Sequence, residues 1–70
     1  MEENYRKFKI HYDLKEYETA LEMISKTGAQ HIDEAISLIK KQRLFKQALE
    51  LYKGDPTLHV QVRRAFAEYL

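Results

Sequence analysis

The chain has no cysteine, one proline and only two glycines in 70 residues. Without cysteine there is neither a disulfide staple nor a thiolate metal site, which fits a reducing compartment. No apolar run approaches the length of a membrane span, and the opening Met1-Glu2-Glu3-Asn4 lacks the basic and then apolar regions of a signal peptide. The expectation is a soluble chain with no address. An excess of either charge is also missing: twelve Lys and Arg stand against eleven Asp and Glu, net +1, so composition supplies no global attraction to nucleic acid or to an acidic membrane surface.

What is present is 44% hydrophobic and 33% charged residues, the balance of a globular helical chain and not of a disordered one. Seventy residues make one small domain with a thin stability margin. Charge is uneven along it. Residues 15–34 hold two basic and five acidic side chains, whereas residues 35–53 hold five basic ones (Lys40, Lys41, Arg43, Lys46, Lys53) against Glu50 alone, which predicts a polarised surface.

One apolar template, i, i+3, i+4, i+7, occurs three times, each time with alanine in second place: Tyr17-Ala20-Leu21-Ile24, Ile32-Ala35-Ile36-Ile39 and Phe45-Ala48-Leu49-Tyr52. That spacing lays four side chains along one helix face, so these twelve residues are the predicted structural core. Weaker versions flank them, with Tyr5, Phe8 and Tyr12 before and Leu58, Val62, Ala65, Phe66 and Tyr69 after. The pattern predicts five short helices near 3–13, 16–27, 30–41, 43–53 and 56–69.

Gly28 after Lys26-Thr27 and Gly54 after Lys53 read as left-handed helix stops. Asp55-Pro56 reads as a restart, with Asp55 as N-cap and the ring of Pro56 at the first helical position, where no N–H is missed. The first break, Asp13-Leu14-Lys15-Glu16, has neither Gly nor Pro; it is placed by phase, because Tyr5, Phe8 and Tyr12 cannot share a straight stripe with Tyr17, Ala20 and Leu21. Sliding the chain by 28 residues sets Tyr17 on Phe45, Ala20 on Ala48, Leu21 on Leu49, Ile10 on Leu38 and Gly28 on Pro56. A helix pair thus recurs. The expected architecture is all-α, a tetratricopeptide-like α-solenoid fragment of antiparallel helices spanning 1–70, with pairs at about 3–27 and 30–53 and a lone helix at 56–69. The last helix lacks a partner and the sequence stops in mid-pattern, so a piece of a longer stack is expected. Phe66, Tyr69 and Leu70 are then the predicted interaction patch.

Catalytic and metal-binding patterns are thin. His11, His31 and His59 have no second His or Cys at ligand spacing, and Asp33 and Glu34 beside His31 are the acids expected in a helix's first turn. Glu16, Glu18 and Glu22 fall on the polar face opposite Tyr17 and Leu21, where nothing shifts a carboxyl toward acid–base work. No phosphate-binding glycine loop occurs. Lys40, Lys41, Arg43, Arg63 and Arg64, with Phe45 interleaved, form the one basic set that an RNA-binding helical module would use; the bland reading is that Lys40 and Lys41 compensate a helix C-terminus while Phe45 belongs to the core.

Read in order, Asn4-Tyr5-Arg6-Lys7-Phe8-Lys9-Ile10, Leu14-Lys15-Glu16-Tyr17-Glu18-Thr19-Ala20-Leu21, Leu38-Ile39-Lys40-Lys41, Leu44-Phe45-Lys46-Gln47-Ala48-Leu49-Glu50-Leu51-Tyr52 and Ala65-Phe66-Ala67-Glu68-Tyr69-Leu70 resemble the family of the largest subunit of the Elongator complex, the IKAP family. The resemblance implies a scaffold with N-terminal propellers and a C-terminal helical solenoid, this segment lying in the solenoid. It implies no enzyme activity, cofactor, metal or membrane contact here, but support for tRNA wobble-uridine modification carried out by another subunit. Implied partners are the other Elongator subunits, the rest of the same chain and a second copy in a homodimer; the implied location is the cytoplasm, with the nucleus as a second site. The family's strongly basic stretch has no match in these residues, so direct tRNA contact is not carried over. A repeat from a trafficking or coat scaffold is the remaining alternative, since it shares the same packing physics.

Overall fold

A computed structural model describes residues 2–69. The helices are α1 (Glu2–Asp13), α2 (Tyr17–Ser25), α3 (Ile32–Gln42), α4 (Phe45–Leu51) and α5 (Pro56–Tyr69), with a 3₁₀ turn at Gly28–His31 before α3. No strand occurs among the described residues. α1 packs on α2, α2 on α3 and α4, and α5 on both α3 and α4, so each element meets its neighbours in the stack.

The three alanines of the template lie wholly inside the helix contacts. Ala20, Ala35 and Ala48 are each 0% exposed, and a methyl group at the crossing is what lets two helix axes come together. Around them Leu21, Ile24, Leu38, Ile39 and Val62 are fully enclosed. Of the twelve stripe residues, Tyr17, Ile32, Ile36 and Leu49 are half-buried at the rim and the other eight are buried. Phe8, Leu38, Leu58, Val62 and Ala65 complete the interior. Leu38 lies off the four-position template because α3 has neighbours on two sides, α2 and α5, and so buries a wider face.

The 28-residue recurrence is repeated in the backbone. Lys15 and Arg43, 28 apart, are both left-handed, with φ of 63° and 58°. Each bend closes with the same hydrogen bond, Glu16 N–H donating to the His11 carbonyl at 2.9 Å and Leu44 N–H to that of Ile39 at 3.0 Å. The next helix then starts identically, Ala20 N–H to Glu16 and Ala48 N–H to Leu44, both at 2.9 Å. A side chain at a left-handed position costs about 1–2 kcal/mol, so both hairpins carry a local strain that the packed helices offset.

The connections between hairpins differ from expectation. Gly28 is left-handed (φ 67°), but it opens a 3₁₀ turn and delays α3 to Ile32. Thr27, the one buried polar residue among those described, closes α2 by donating its hydroxyl to the Ile24 carbonyl at 2.6 Å. Gly54 is not left-handed. There Asp55 N–H donates to the Tyr52 carbonyl at 3.0 Å, closing a turn that contains no left-handed residue. Asp55 does cap α5, accepting from Thr57 N–H at 3.1 Å and Leu58 N–H at 3.2 Å behind Pro56.

Candidate interaction surfaces

Three groups of side chains outside the core carry the chemistry. At the α1–α3 junction the Tyr5 hydroxyl lies 2.9 and 3.0 Å from the two Glu34 carboxylate oxygens and donates between them. The Tyr5 ring lies flat on His31, centroids 3.9 Å apart and 8° from parallel, and His31 Nδ1 is 3.5 Å from Glu34 Oε1. Tyr5, His31 and Glu34 therefore clasp the first hairpin to the second. Glu34, three residues beyond His31, is engaged in joining helices, and no group of three His, Cys, Asp or Glu placed to hold a metal occurs among the described residues.

The acids of the first hairpin lie outside. Glu16, Glu18 and Glu22 are exposed, with Glu16 Oε1 2.6 Å from His11 Nδ1. An open trough of about 410 Å³ runs between the two hairpin bends, past Lys15, Glu16, Tyr17, Gln42 and Leu44, and is mostly polar.

The second hairpin and α5 carry the basic groups, and most are occupied. Lys40 pairs with Glu68 at 3.6 Å, and the Arg43 guanidinium lies 5.5 Å from the Tyr69 centroid. Phe45, 4% exposed, is stacked with Phe66 (4.8 Å, 17°) and tilted against Tyr69 (5.1 Å, 44°). Phe66 is thus half-buried and Tyr69 44% exposed, both turned toward Phe45, while Leu70 lies outside the described residues. The open apolar surface of α5 is elsewhere, in a trough of about 580 Å³ beside α4 formed by Leu49, His59, Val60, Arg63, Arg64, Phe66 and Ala67. Charge alone groups Arg63 and Arg64 with Lys40, Lys41 and Arg43; their helical spacing with Val60 and Ala67 is the signal in the sequence for a mixed groove. No helix among the described residues is long and apolar enough to cross a membrane.

Paired short helices crossing at alanine, joined by matching bends 28 residues apart and presenting charged outer faces, define a tetratricopeptide-like helical-repeat module. The chain belongs to the ELP1 TPR domain family, which it matches over residues 5–70. It is 43% identical over all 70 residues to Elongator complex protein 1 of Mus musculus and, at the same identity and span, to that of Rattus norvegicus. Elongator complex protein 1 of Drosophila melanogaster is 34% identical over 67 residues, 96% of the chain. The chain spans about 5% of the length of each of these relatives. No solved structure matches it.

Proposed function

We propose that the chain is a non-catalytic scaffold segment of the Elongator complex, from the C-terminal helical region of its largest subunit. On this reading it supports tRNA wobble-uridine modification by organising other subunits, in the cytoplasm and also in the nucleus. The observation that carries the proposal is the family match over residues 5–70 together with relatives named Elongator complex protein 1. The geometry supports it, since the interior is filled by side chains and the charged residues lie on outer faces, an arrangement suited to stacking and docking. Its partners are other Elongator subunits and the rest of the same chain, with a homodimer in the intact protein.

RNA binding through Lys40, Lys41, Arg43, Arg63 and Arg64 is the weaker reading. Base stacking needs a free aromatic face. Phe45 is buried against Phe66, and Tyr69 has Arg43 and Phe45 against it. The test is affinity purification of the full-length protein that carries this segment, scored for Elongator subunits, with Ala48→Arg as the folding-defective control. Recovery of coat or trafficking proteins in their place refutes the assignment.

A further inference from the structure

We propose that the trough between α4 and α5 is a docking site for an acidic amphipathic helix of a partner protein. This rests on the scaffold reading and adds to it the chemistry of one partner. Val60, Arg63, Arg64 and Ala67 follow i, i+3, i+4, i+7 along α5, so two apolar positions about 10 Å apart bracket two arginines. Val60 is 39% exposed, an open apolar side chain on an otherwise charged face. Leu49 and Phe66 form the apolar floor, and about 580 Å³ lies open above them.

Charge decides the occupant. Among the described residues no acidic side chain lines the trough. The two nearest in sequence are engaged elsewhere, Glu50 by Lys53 at 3.4 Å and Glu68 by Lys40 at 3.6 Å. Neither Arg63 nor Arg64 has a carboxylate partner among the described residues. Two guanidinium forks beside an apolar floor match carboxylates bordering an apolar stripe, and two helical turns match the spacing of the open positions. Phe66 is stacked on Phe45 and half-buried, so it meets the trough as part of an apolar floor.

The probe is a fluorescein-labelled amphipathic helix of about 15 residues, with Leu on one face bordered by Glu, titrated with the full-length protein that carries this segment and read by anisotropy; no binding there, because the rest of the chain fills the trough, overturns the proposal. Saturable one-to-one binding that weakens several-fold as salt rises is expected. R63E/R64E should weaken it roughly tenfold or more, with the loss recovered by a peptide carrying Lys in place of Glu. Ala67→Glu should weaken it too, while circular dichroism shows both variants as helical as the parent. Equal binding of a peptide with Gln in place of Glu overturns the proposal. So does single-stranded RNA binding that R63E/R64E abolishes while the acidic peptide is ignored, or a dimer of the chain dissolved by the same substitutions. If the peptide fails to bind while the full-length protein still recovers Elongator subunits, only the trough inference falls; if those subunits are not recovered, the scaffold reading falls first.

Discussion

Replacing Tyr52 by phenylalanine should make this protein more stable. Tyr52 is 2% exposed at the end of α4, and its hydroxyl is buried with no hydrogen-bond partner among the described residues. Leaving a buried hydroxyl unpaired costs about 1–3 kcal/mol, whereas the ring that fills the space is the same in phenylalanine. Taking the lower end, because the surroundings relax, Tyr52→Phe should gain about 1 kcal/mol, or about 4–8 °C in Tm for a domain of this size. Burial also pushes the phenol from 10.0 up to about 12, which adds a second, independent signature. The unfolded chain releases this proton near pH 10 and the folded chain only near 12. The neutral buried phenol therefore leaves stability intact below pH 10 and removes about 1.4 kcal/mol per pH unit as pH rises from 10 to 12. Urea melts followed by far-ultraviolet circular dichroism, at neutral pH and through that alkaline range, measure both effects. A phenylalanine variant less stable than the parent, or one whose stability falls in parallel with the parent's above pH 10, refutes the reasoning.

Ala48→Leu should destabilise by about 1–3 kcal/mol by thermal melt, since Ala48 is 0% exposed at the helix crossing and added bulk must force the helices apart. Lys15→Gly should stabilise by about 1 kcal/mol in urea titrations, because glycine takes the left-handed bend at no steric cost. Arg43→Gly, at the equivalent bend, should gain less by about 0.5–1 kcal/mol, the worth of the guanidinium held over Tyr69. Asp55→Ala should lose about 1 kcal/mol with the α5 cap while Asp55→Asn stays near the parent, and equal losses in the two would refute the capping role.

The features readable from sequence are those set by neighbours along the chain. Ala20, Ala35 and Ala48, at fixed places in a helical template, are fully buried, and Asp55-Pro56 stands at the start of α5, because each acts through local geometry. The bends at Lys15 and Arg43 were less legible: no glycine marks them, and packing of the flanking helices overrides the residues' own preference. Gly54 misled for the complementary reason, since a glycine permits a left-handed turn without requiring one. At the surface, charge alone joined Arg63 and Arg64 to Lys40 and Arg43. In the structure Lys40 is committed to Glu68 and Arg43 to Tyr69, while the α5 arginines line an apolar trough.

The matching bends at Lys15 and Arg43 make 28 residues the quantum in which this architecture tolerates change. A duplication or loss of that length re-creates the same crossing and the same reversal, so the chain can lengthen or shorten without redesign. An indel inside a helix that is not close to a whole number of turns rotates the residues beyond it away from their mates.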